Sequence, residues 1–356
     1  MFSVLSNQCI YIYFYLILNK RYHKVGLMKL DFDPRKNITK FDYFIMQLNR
    51  INNKIKDLLV VKSIVKNWYD VLLFRVGLKK PGFVMQLRDC KKIYIKKPED
   101  YFLFWESGDG QQALVNLNRP VKIIEKNKTI EFKFDNKPLK FNYDSQKQLH
   151  NTLSMIKEQF IDEQYKQLDV KNRVVIDIGA NIGDSAIYFA LKGAKHVYAF
   201  EPYPYSYMSA IRNIRLNHLE KKITLLNAGC GARDSEIIIG SNHISVASSE
   251  LKESKSGKKI KVYTLESIFN NYRVNDGAVL KIDCEGCEYG VLLSASSRTL
   301  RKFRQIQGEY HYGYQNIEKK LKKAGFYMKH TVPTRDISHE SKGFNGSFFA
   351  YPYSQE

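Results

Sequence analysis

The segment that most constrains the fold is Val174–Gly183, with the sequence VVIDIGANIG. Its apolar β-branched residues are typical of a buried parallel strand, and the glycines that follow predict a turn into a helix. Glycine is expected there because a side chain would hold a ligand away from the backbone. The first N–H groups of the helix, from Asp184 onward, are unpaired donors. This turn is therefore predicted to bind a ligand rich in oxygen atoms.

A second short apolar run, Ala194–Phe200, ends at Glu201 and Pro202. Glu201 follows Gly183 by 18 residues, close to the spacing at which an acid takes both hydroxyls of a ribose. The turn reads Gly-x-x-x-Gly, whereas a pyrophosphate site needs G-x-G-x-x-G. Asp177 before the glycines would repel a diphosphate. These features favour a nucleoside cofactor without phosphates, and S-adenosyl-L-methionine is the candidate.

Four segments carry a resemblance to a known family: VVIDIGANIGDSAIYFA, VYAFEPYPYSYMSAIRNIRLN, VLKIDCEGCEYGVLL and QGEYHYG. In order and approximate spacing they resemble the FkbM methyltransferases, from about Glu163 to the end of the chain. The resemblance implies a class I methyltransferase fold and S-adenosyl-L-methionine as the methyl donor. It also implies O-methylation of a hydroxyl on a sugar, glycan or secondary metabolite. The preceding segment 158–170 resembles the part of the family that lies across the cofactor pocket, so Glu163 and Tyr165 are either contacts behind the pocket or an ordinary helix end.

The second half of the chain alternates strand and helix patterns, which is typical of a parallel sheet with right-handed crossovers. We expect an α/β fold: a class I methyltransferase, Rossmann-like, seven-stranded sheet with helices on both faces, its last two strands antiparallel. A β-rich insertion, 235–264, is expected between the third and fourth strands, with a mobile tip at 252–259. The predicted strands are 173–178, 196–200, 223–227, 279–283, 304–309, 326–330 and 347–351, and the predicted helices are 184–191, 205–216, 265–270, 288–293 and 314–323.

Ligands of open α/β sheets bind beyond the carboxyl ends of the strands, and this rule selects the candidate cofactor contacts. For Asn227, a purely structural role in capping a turn is the alternative. The predicted cofactor-binding residues are Asp177, Gly179, Ala180, Asn181, Gly183, Glu201, Pro202, Asn227, Ala228 and Asp283.

The predicted chemistry needs a base, because a neutral hydroxyl must lose a proton as it attacks the methyl group. His311, after the fifth strand, is the first candidate because imidazole titrates near neutrality. Asp283 and Glu285 are the alternatives, as base or as clamp on the hydroxyl. Glu309 is a further candidate, unless it pairs with a neighbouring lysine. Magnesium held by Asp283 and Glu309 is the weaker alternative, and no metal is assigned.

Three parts are expected along the chain. Residues 1–27 are apolar and aromatic, and three explanations stay open: a true start at Met28, a surface anchor that contacts a membrane peripherally, or a structured element. Residues 28–160 form a helical and then β-rich accessory subdomain that helps to select the substrate, and residues 161–356 form the methyltransferase domain. No other stretch has the length and apolarity to cross a bilayer, which predicts a soluble catalytic part.

Within the accessory part, apolar residues recur every three or four positions over 42–76, which predicts amphipathic helices. Strands are expected at 83–87, 92–95, 101–105, 121–124 and 130–134, with turns at 127–128 and 136–137, and a helix at 145–168. The dense aromatic residues here are either core or a platform for a sugar or base.

The chain has 57 Lys and Arg against 36 Asp and Glu, a net charge of +21. The lysines are spread singly, so a solvated surface is favoured over a nucleic-acid footprint, and the expected partner is a small-molecule or glycan hydroxyl. RNA methylation and a non-catalytic cofactor-binding module stay open as alternatives, and a dinucleotide oxidoreductase is disfavoured. Five cysteines without framework spacing predict a reduced, cytoplasmic setting.

Overall fold

The computed structural model describes residues 57–105, 107–116, 120–240, 256–335 and 344–353. The apolar segment 1–27, the helical pattern before residue 57 and the first part of the insertion tip, 252–255, lie outside the described residues. Within the described ranges, no helix has both the length and the apolar character that crossing a bilayer requires. The cytoplasmic location stays a prediction.

The first described part is a small unit with its own apolar core. It contains a helical segment at 57–64, then α1 (Trp68–Arg75), the antiparallel strands β1 (Phe83–Gln86) and β2 (Lys92–Ile95), and the helices α2 (Pro98–Trp105) and α3 (Gly108–Asn116). The strand predicted at 101–105 is wrong, because this segment belongs to α2. Pro98 fits the first helical position, and the carboxylate of Asp100 accepts the N–H groups of Lys96 and Lys97 at 2.8 and 2.9 Å.

An antiparallel sheet follows, made of β3 (Lys122–Ile124), β4 (Thr129–Phe134) and β5 (Lys137–Asn142). The predicted turn at 136–137 is found, at left-handed Asp135 and Asn136, but the strand β5 after it was missed. The predicted helix 145–168 is α4 (Gln146–Ile156), capped by Ser145, and a single π-helical turn, Lys157–Ile161, ends it earlier than expected.

This sheet packs directly on the methyltransferase part. The side chain of Asn213 accepts the N–H of Asn142 at 2.8 Å, and Phe160 packs edge-on against Phe132 and Tyr188. One buried apolar cluster contains residues from both sides of the predicted boundary at 160 and 161. Residues from about 120 onward therefore share a core with the methyltransferase domain. The domain boundary at 160 and 161 stays a prediction.

The remaining elements alternate as predicted. In chain order they are β6 (Val174–Ile178), α5 (Asp184–Leu191), β7 (His196–Phe200), α6 (Pro204–Leu216), β8 (Ile223–Leu226), β9 (Ala228–Cys230), β10 (Ser235–Ile239), β11 (Lys258–Tyr263), α7 (Leu265–Asn271), β12 (Ala278–Ile282), α8 (Cys287–Ser294), α9 (Ser297–Leu300), β13 (Phe303–Tyr310), α10 (Gln315–Lys323), β14 (Phe326–His330), β15 (Thr334–Arg335) and β16 (Phe344–Pro352).

The main sheet has the order β14-β16-β13-β12-β6-β7-β8, with the short β15 paired to β16. Strands β13, β12, β6, β7 and β8 are parallel, and β16 lies antiparallel between β13 and β14. The predicted class I methyltransferase fold is confirmed. The insertion is β-rich as expected, but β10 and β11 join β9 in a separate small sheet.

Both faces of the main sheet are covered, because side chains alternate along each strand. On β6 and β12, Val175 and Val279 belong to the apolar cluster that includes α4 and α5. Their neighbours Ile176 and Leu280 belong to a second cluster with α7 to α10. This burial on both sides explains why β6 and β12 are nearly continuous apolar runs.

Candidate active site

The glycine turn after β6 lies tightly against the end of β12. Gly179 has a φ of +82°, and an added Cβ would lie 1.8 Å from the carbonyl oxygen of Asp283. The N–H groups of Gly179 and Ala180 both donate to the carbonyl of Phe200, at 3.0 Å. Glycine is therefore required at residue 179 by the neighbouring backbone, in addition to the predicted approach of a ligand.

Glu201 is fixed at the end of β7 by two backbone donors. Its Oε2 accepts the N–H of Asn181 at 2.8 Å and its Oε1 accepts the N–H of Tyr203 at 2.9 Å. The side chain is 3% exposed. Burial raises the pKa of Glu201 to about 8, although both N–H groups favour the carboxylate. A carboxylate has about four acceptor positions, so two remain for ribose hydroxyls.

Asp177 lies behind the turn in a buried ion pair. Its Oδ1 is 3.1 Å from Nζ of Lys281, and its Oδ2 accepts the hydroxyl of Ser185 at 2.7 Å. Lys281 also donates to the carbonyl of Gly179 at 2.7 Å. The ion pair holds the turn in place, and Asp177, predicted as a cofactor contact, is not among the described residues that line the cavity. Sequence reasoning missed Lys281, although a lysine inside the apolar run of β12 was a signal.

A cavity of about 330 Å³ opens at these strand ends. It is lined by the predicted residues Gly179, Asn181, Glu201, Pro202, Ala228, Asp283, Glu285 and Glu309. Five other predicted residues are not among the described residues that line the cavity: Asp177, Ala180, Gly183, Asn227 and His311. Sequence reasoning missed several lining residues, among them Asn151, Ser154, Met155, Glu158 and Gln159 from the α4 region, and Asp184, Ser185, Tyr203 and Lys281.

Asn227 has the structural role that the sequence left open as the alternative. Its Nδ2 donates to the carbonyls of Glu201 and Pro202, both at 2.9 Å. The side chain therefore fixes the turn after β7 and supports the position of Glu201. Asn227 is not among the described residues that line the cavity, and its direct contact with the cofactor stays a prediction.

Four predicted catalytic residues meet at the ends of β12 and β13, and we call Asp283, Glu285, Glu309 and His311 the acidic cluster. Nε2 of His311 lies 3.3 Å from Oε2 of Glu285 and 4.0 Å from Oε2 of Glu309. His311 is 4% exposed, whereas Glu285 and Glu309 are about one-third exposed, at 39% and 32% of their side chains. Oε1 of Glu309 accepts a hydrogen bond from the side-chain amide of Gln164 at 2.6 Å. Its partner is therefore this glutamine, and not a neighbouring lysine.

Charge and burial shift the titration of this cluster. Burial raises the pKa of Asp283, and it raises the pKa of Glu309 to about 8, with Asp283 adding to the effect. Burial alone would lower the pKa of His311, but the carboxylates of Glu285 and Glu288 outweigh it and raise this pKa to about 12. The neighbouring carboxylates therefore favour the protonated form of His311, which disfavours its predicted role as base.

The segment 158–170 supports the cluster from behind. The hydroxyl of Tyr165 lies 3.3 Å from Oδ2 of Asp283, as the interpretation of a contact behind the pocket requires. Glu163 instead accepts the hydroxyl of Tyr188 and pairs with Lys192, each at 3.0 Å.

Two cysteines frame the loop between β12 and α8. Cys284 and Cys287 are joined by a disulfide bond and both line the cavity. The sequence predicted reduced thiols, so this pair departs from the expectation. Of the remaining cysteines in the described ranges, Cys90 is exposed and Cys230 is buried.

The cavity fits the predicted cofactor in size and chemistry. Its volume lies within the range of small-molecule sites, and its wall combines a glycine turn with the fixed carboxylate of Glu201 at the second strand end. Glu201 would hold the ribose, and the backbone near Gly179 would contact the methionine part of S-adenosyl-L-methionine.

Comparison with known proteins agrees with this geometry. Residues 177–328 match the model of the methyltransferase FkbM domain. An uncharacterized protein of Sulfolobus islandicus rod-shaped virus 1 is 28% identical over 141 residues, which cover 40% of this chain and 62% of the viral protein. The match therefore spans less than two thirds of that relative.

Solved methyltransferase structures show weaker similarity. TrmK of M. capricolum, solved with S-adenosyl-homocysteine, is 13% identical with a TM-score of 0.33, over 54% of this chain and 67% of that one. Ribosomal protein L11 methylase of Lactobacillus delbrueckii subsp. bulgaricus is 16% identical with a TM-score of 0.31, over 59% and 80%. These similarities are too weak to bear on the acceptor. The family match and the strand order together identify residues 177–328 as a methyltransferase FkbM domain with S-adenosyl-L-methionine as its cofactor.

Proposed function

We propose that this protein transfers a methyl group from S-adenosyl-L-methionine to a hydroxyl of a sugar, glycan or secondary metabolite. The observation that carries the proposal is the acidic cluster, because Asp283, Glu285 and Glu309 border the same cavity as Glu201. Carboxylates accept hydrogen bonds from hydroxyl groups, so they can hold an acceptor rich in hydroxyls beside the methyl donor. Binding in a fixed orientation supplies much of the rate of such a transfer.

When bound, S-adenosyl-L-methionine supplies a methyl group on a sulfonium; the new C–O bond forms as the C–S bond breaks, and the bonding pair stays on sulfur. A carboxylate of the acidic cluster takes the hydroxyl proton. Asp283 and Glu309 are the candidates, because both line the cavity and each is held by a hydrogen bond, from Tyr165 and from Gln164. His311, behind them, compensates the negative charge.

RNA is the competing acceptor, since the chain has a net charge of +21. The acidic cluster argues against it, because carboxylates on the cavity wall repel the phosphates beside a target nucleotide. The residues after β12 are also Asp283, Cys284 and Glu285, and not the amide-proline sequence common in base N-methylation. We therefore favour a small-molecule or glycan acceptor and make RNA an arm of the test.

The test follows a labelled methyl group from the donor into separate small-molecule, glycan and RNA fractions of a cell extract. We expect label in the small-molecule or glycan fraction, in a linkage that resists mild alkali as a methyl ether does. Label in RNA that ribonuclease releases, and that falls steeply with added salt, would contradict the proposal. Calorimetry with S-adenosyl-homocysteine is the companion measurement, because a protein that does not bind it is only a scaffold.

The Glu309→Gln variant tests whether Glu309 takes the proton of the acceptor hydroxyl. We expect methyl transfer to fall by about 10²-fold or more, because a proton acceptor is lost, while the affinity for S-adenosyl-homocysteine changes less than about threefold. Glu318→Gln, on α10, makes the same change of charge outside the site and is the control. Full activity of Glu309→Gln would remove Glu309 from the mechanism.

A further inference from the structure

Three side chains of the acidic cluster form the kind of group that binds a metal ion. Asp283, Glu309 and His311 each offer one ligand atom, and these three atoms lie within 4.8 Å of one another. We propose that Asp283, Glu309 and His311 bind a divalent cation at the acceptor side of the cavity. The proposal rests on the proposed function and deepens it, because the cation would hold and activate the acceptor hydroxyl.

The two carboxylates are oriented by residues outside the cluster. Gln164 donates to Oε1 of Glu309 at 2.6 Å, which leaves Oε2 facing Nε2 of His311 at 4.0 Å. Tyr165 holds Oδ2 of Asp283 at 3.3 Å. Neighbours that hold one atom of a ligand and leave the other for the metal are a regular feature of metal sites.

The imidazole has the corresponding support. Nδ1 of His311 lies 3.3 Å from Oε1 of Glu288, whose side chain is fully buried. Glu288 is itself fixed, because its two oxygens accept the N–H groups of Cys284 and Gly286 at 2.8 Å each. A histidine that ligates a metal through one nitrogen usually faces a carboxylate or carbonyl with the other. Nε2 lies 3.3 Å from Oε2 of Glu285 and 4.0 Å from Oε2 of Glu309, and it is the nitrogen that would bind the cation, which displaces its proton.

A buried polar atom on the wall of the same cavity can accept a further hydrogen bond. Gln159 lines the same cavity and is 4% exposed, and its Oε1 has no hydrogen-bond partner among the residues described here. Its Nε2 lies 3.5 Å from Oε1 of Gln164, the residue that holds Glu309. An unpaired buried amide oxygen costs free energy. A water molecule on a cation at Glu309 would supply the missing hydrogen.

The donor set selects the class of cation. Two carboxylate oxygens and one imidazole nitrogen suit Mn²⁺ and similar first-row ions better than Mg²⁺ or Ca²⁺, which prefer oxygen donors alone. Three protein ligands leave further positions toward the cavity, where Glu285 borders the same space. A cation there lowers the pKa of a hydroxyl that reaches it, and the carboxylate of Glu285, which is not a ligand, can take the proton.

The test is a titration of the whole protein with Mn²⁺, followed by electron paramagnetic resonance of the free ion. We expect one saturable site per chain, and at least tenfold weaker binding in Asp283→Asn and in Glu309→Gln. Glu318→Gln, which loses the same charge on α10, should bind Mn²⁺ as the unmodified protein does. Circular dichroism and calorimetry with S-adenosyl-homocysteine check that each variant is folded and keeps its cofactor pocket.

Absence of saturable Mn²⁺ binding in a protein that binds S-adenosyl-homocysteine would overturn the metal site. Undiminished methyl transfer in excess chelator would overturn it as well, and would leave the methyltransferase function intact. If the two ligand variants do not fold, Gln164→Ala decides, because it keeps all three ligands and removes the hydrogen bond that orients Glu309. We expect threefold to tenfold weaker Mn²⁺ binding in Gln164→Ala, and unchanged binding would overturn the proposal.

Discussion

The two ends of the cavity are built in opposite ways. At the end formed by β6 and β7, each oxygen of Glu201 meets a backbone N–H, from Asn181 and Tyr203, within about twenty residues of sequence. At the end formed by β12 and β13, charged side chains meet one another, and Gln164 reaches Glu309 across 145 residues. The first end is complete before a ligand arrives, whereas the second contains more negative charge than its imidazole balances.

This difference suggests that the Glu201 end binds the cofactor and that the acidic cluster carries out the methyl transfer. Backbone donors are fixed by the fold, so the Glu201 end can recognise one cofactor without reorganisation. The acidic cluster binds protons more tightly than isolated side chains do, as the raised pKa values of Glu309 and His311 indicate, so a cation that enters would displace protons. Changes at the first end should therefore alter cofactor affinity, and changes at the second should alter turnover.

The largest expected effect is that of Gly179→Ala. The new Cβ would lie 1.8 Å from the carbonyl oxygen of Asp283, so the turn and the end of β12 must separate. We expect no detectable affinity for S-adenosyl-homocysteine by calorimetry and a lower free energy of unfolding. Because Asp283 belongs to the acidic cluster, this one substitution should damage both ends of the cavity.

Gly325→Ala is the matched control, since Gly325 also has a left-handed φ, +93°, with no atom within 4 Å of an added Cβ. It should cost about 1 kcal/mol of stability from backbone strain, with the affinity for S-adenosyl-homocysteine unchanged. Equal losses in the two variants would show that the conformation of residue 179, and not its contact with Asp283, sets the requirement for glycine.

The sequence predicts the first end well because its signals are local. Apolar runs and glycines predicted β6, the turn after it and the position of Glu201. The five parallel strands were predicted within two residues of their observed ends. Local chemistry also explains the failures: the aromatic run at 101–105 suggested a strand, but Asp100 and Pro98 favour a helix start. The strand β5 was missed because its turn residues and Pro138 obscured the alternation.

The residues of the acidic cluster could be predicted from the sequence, but their contacts and protonation could not. His311 follows β13, and nothing in the chain around it reveals that Glu288 of α8 faces its Nδ1. The same holds for Lys281, whose partner Asp177 is more than one hundred residues away. A base was therefore predicted where neighbouring carboxylates, against the effect of burial, favour an imidazolium.

Glu201→Ala should have the next largest effect, and it is confined to the first end. Loss of the carboxylate removes the ribose acceptor and leaves two backbone donors unpaired, about 2–3 kcal/mol in binding. We expect the dissociation constant for S-adenosyl-homocysteine to rise by roughly 30- to 100-fold, measured by calorimetry. Glu220→Ala, at an exposed position after α6, is the control and should bind normally. Unaltered affinity in Glu201→Ala would disprove the assignment of the ribose to this end.

The smallest effect concerns the ionisation of Glu201 in the ligand-free protein. Its folded pKa of about 8 exceeds the ordinary value near 4.5, so the folded state binds its proton more tightly than the unfolded state. The stabilisation is complete below pH about 4 and is lost as the pH rises through 8. Asp184, with a pKa raised by burial to about 7, acts in the same direction, while Lys281 opposes both shifts.

Urea unfolding at pH 7 and pH 8 should accordingly show a loss of stability with rising pH, up to about 1.4 kcal/mol per pH unit from Glu201. Glu201→Gln cannot ionise and should reduce that slope, leaving the parts that Asp184, Glu158 and Glu309 contribute. Because amide and carboxyl groups have similar shapes, the comparison separates the charge of Glu201 from its packing. An identical slope in both proteins would mean that Glu201 is already a carboxylate at pH 7, with its two backbone donors outweighing its burial.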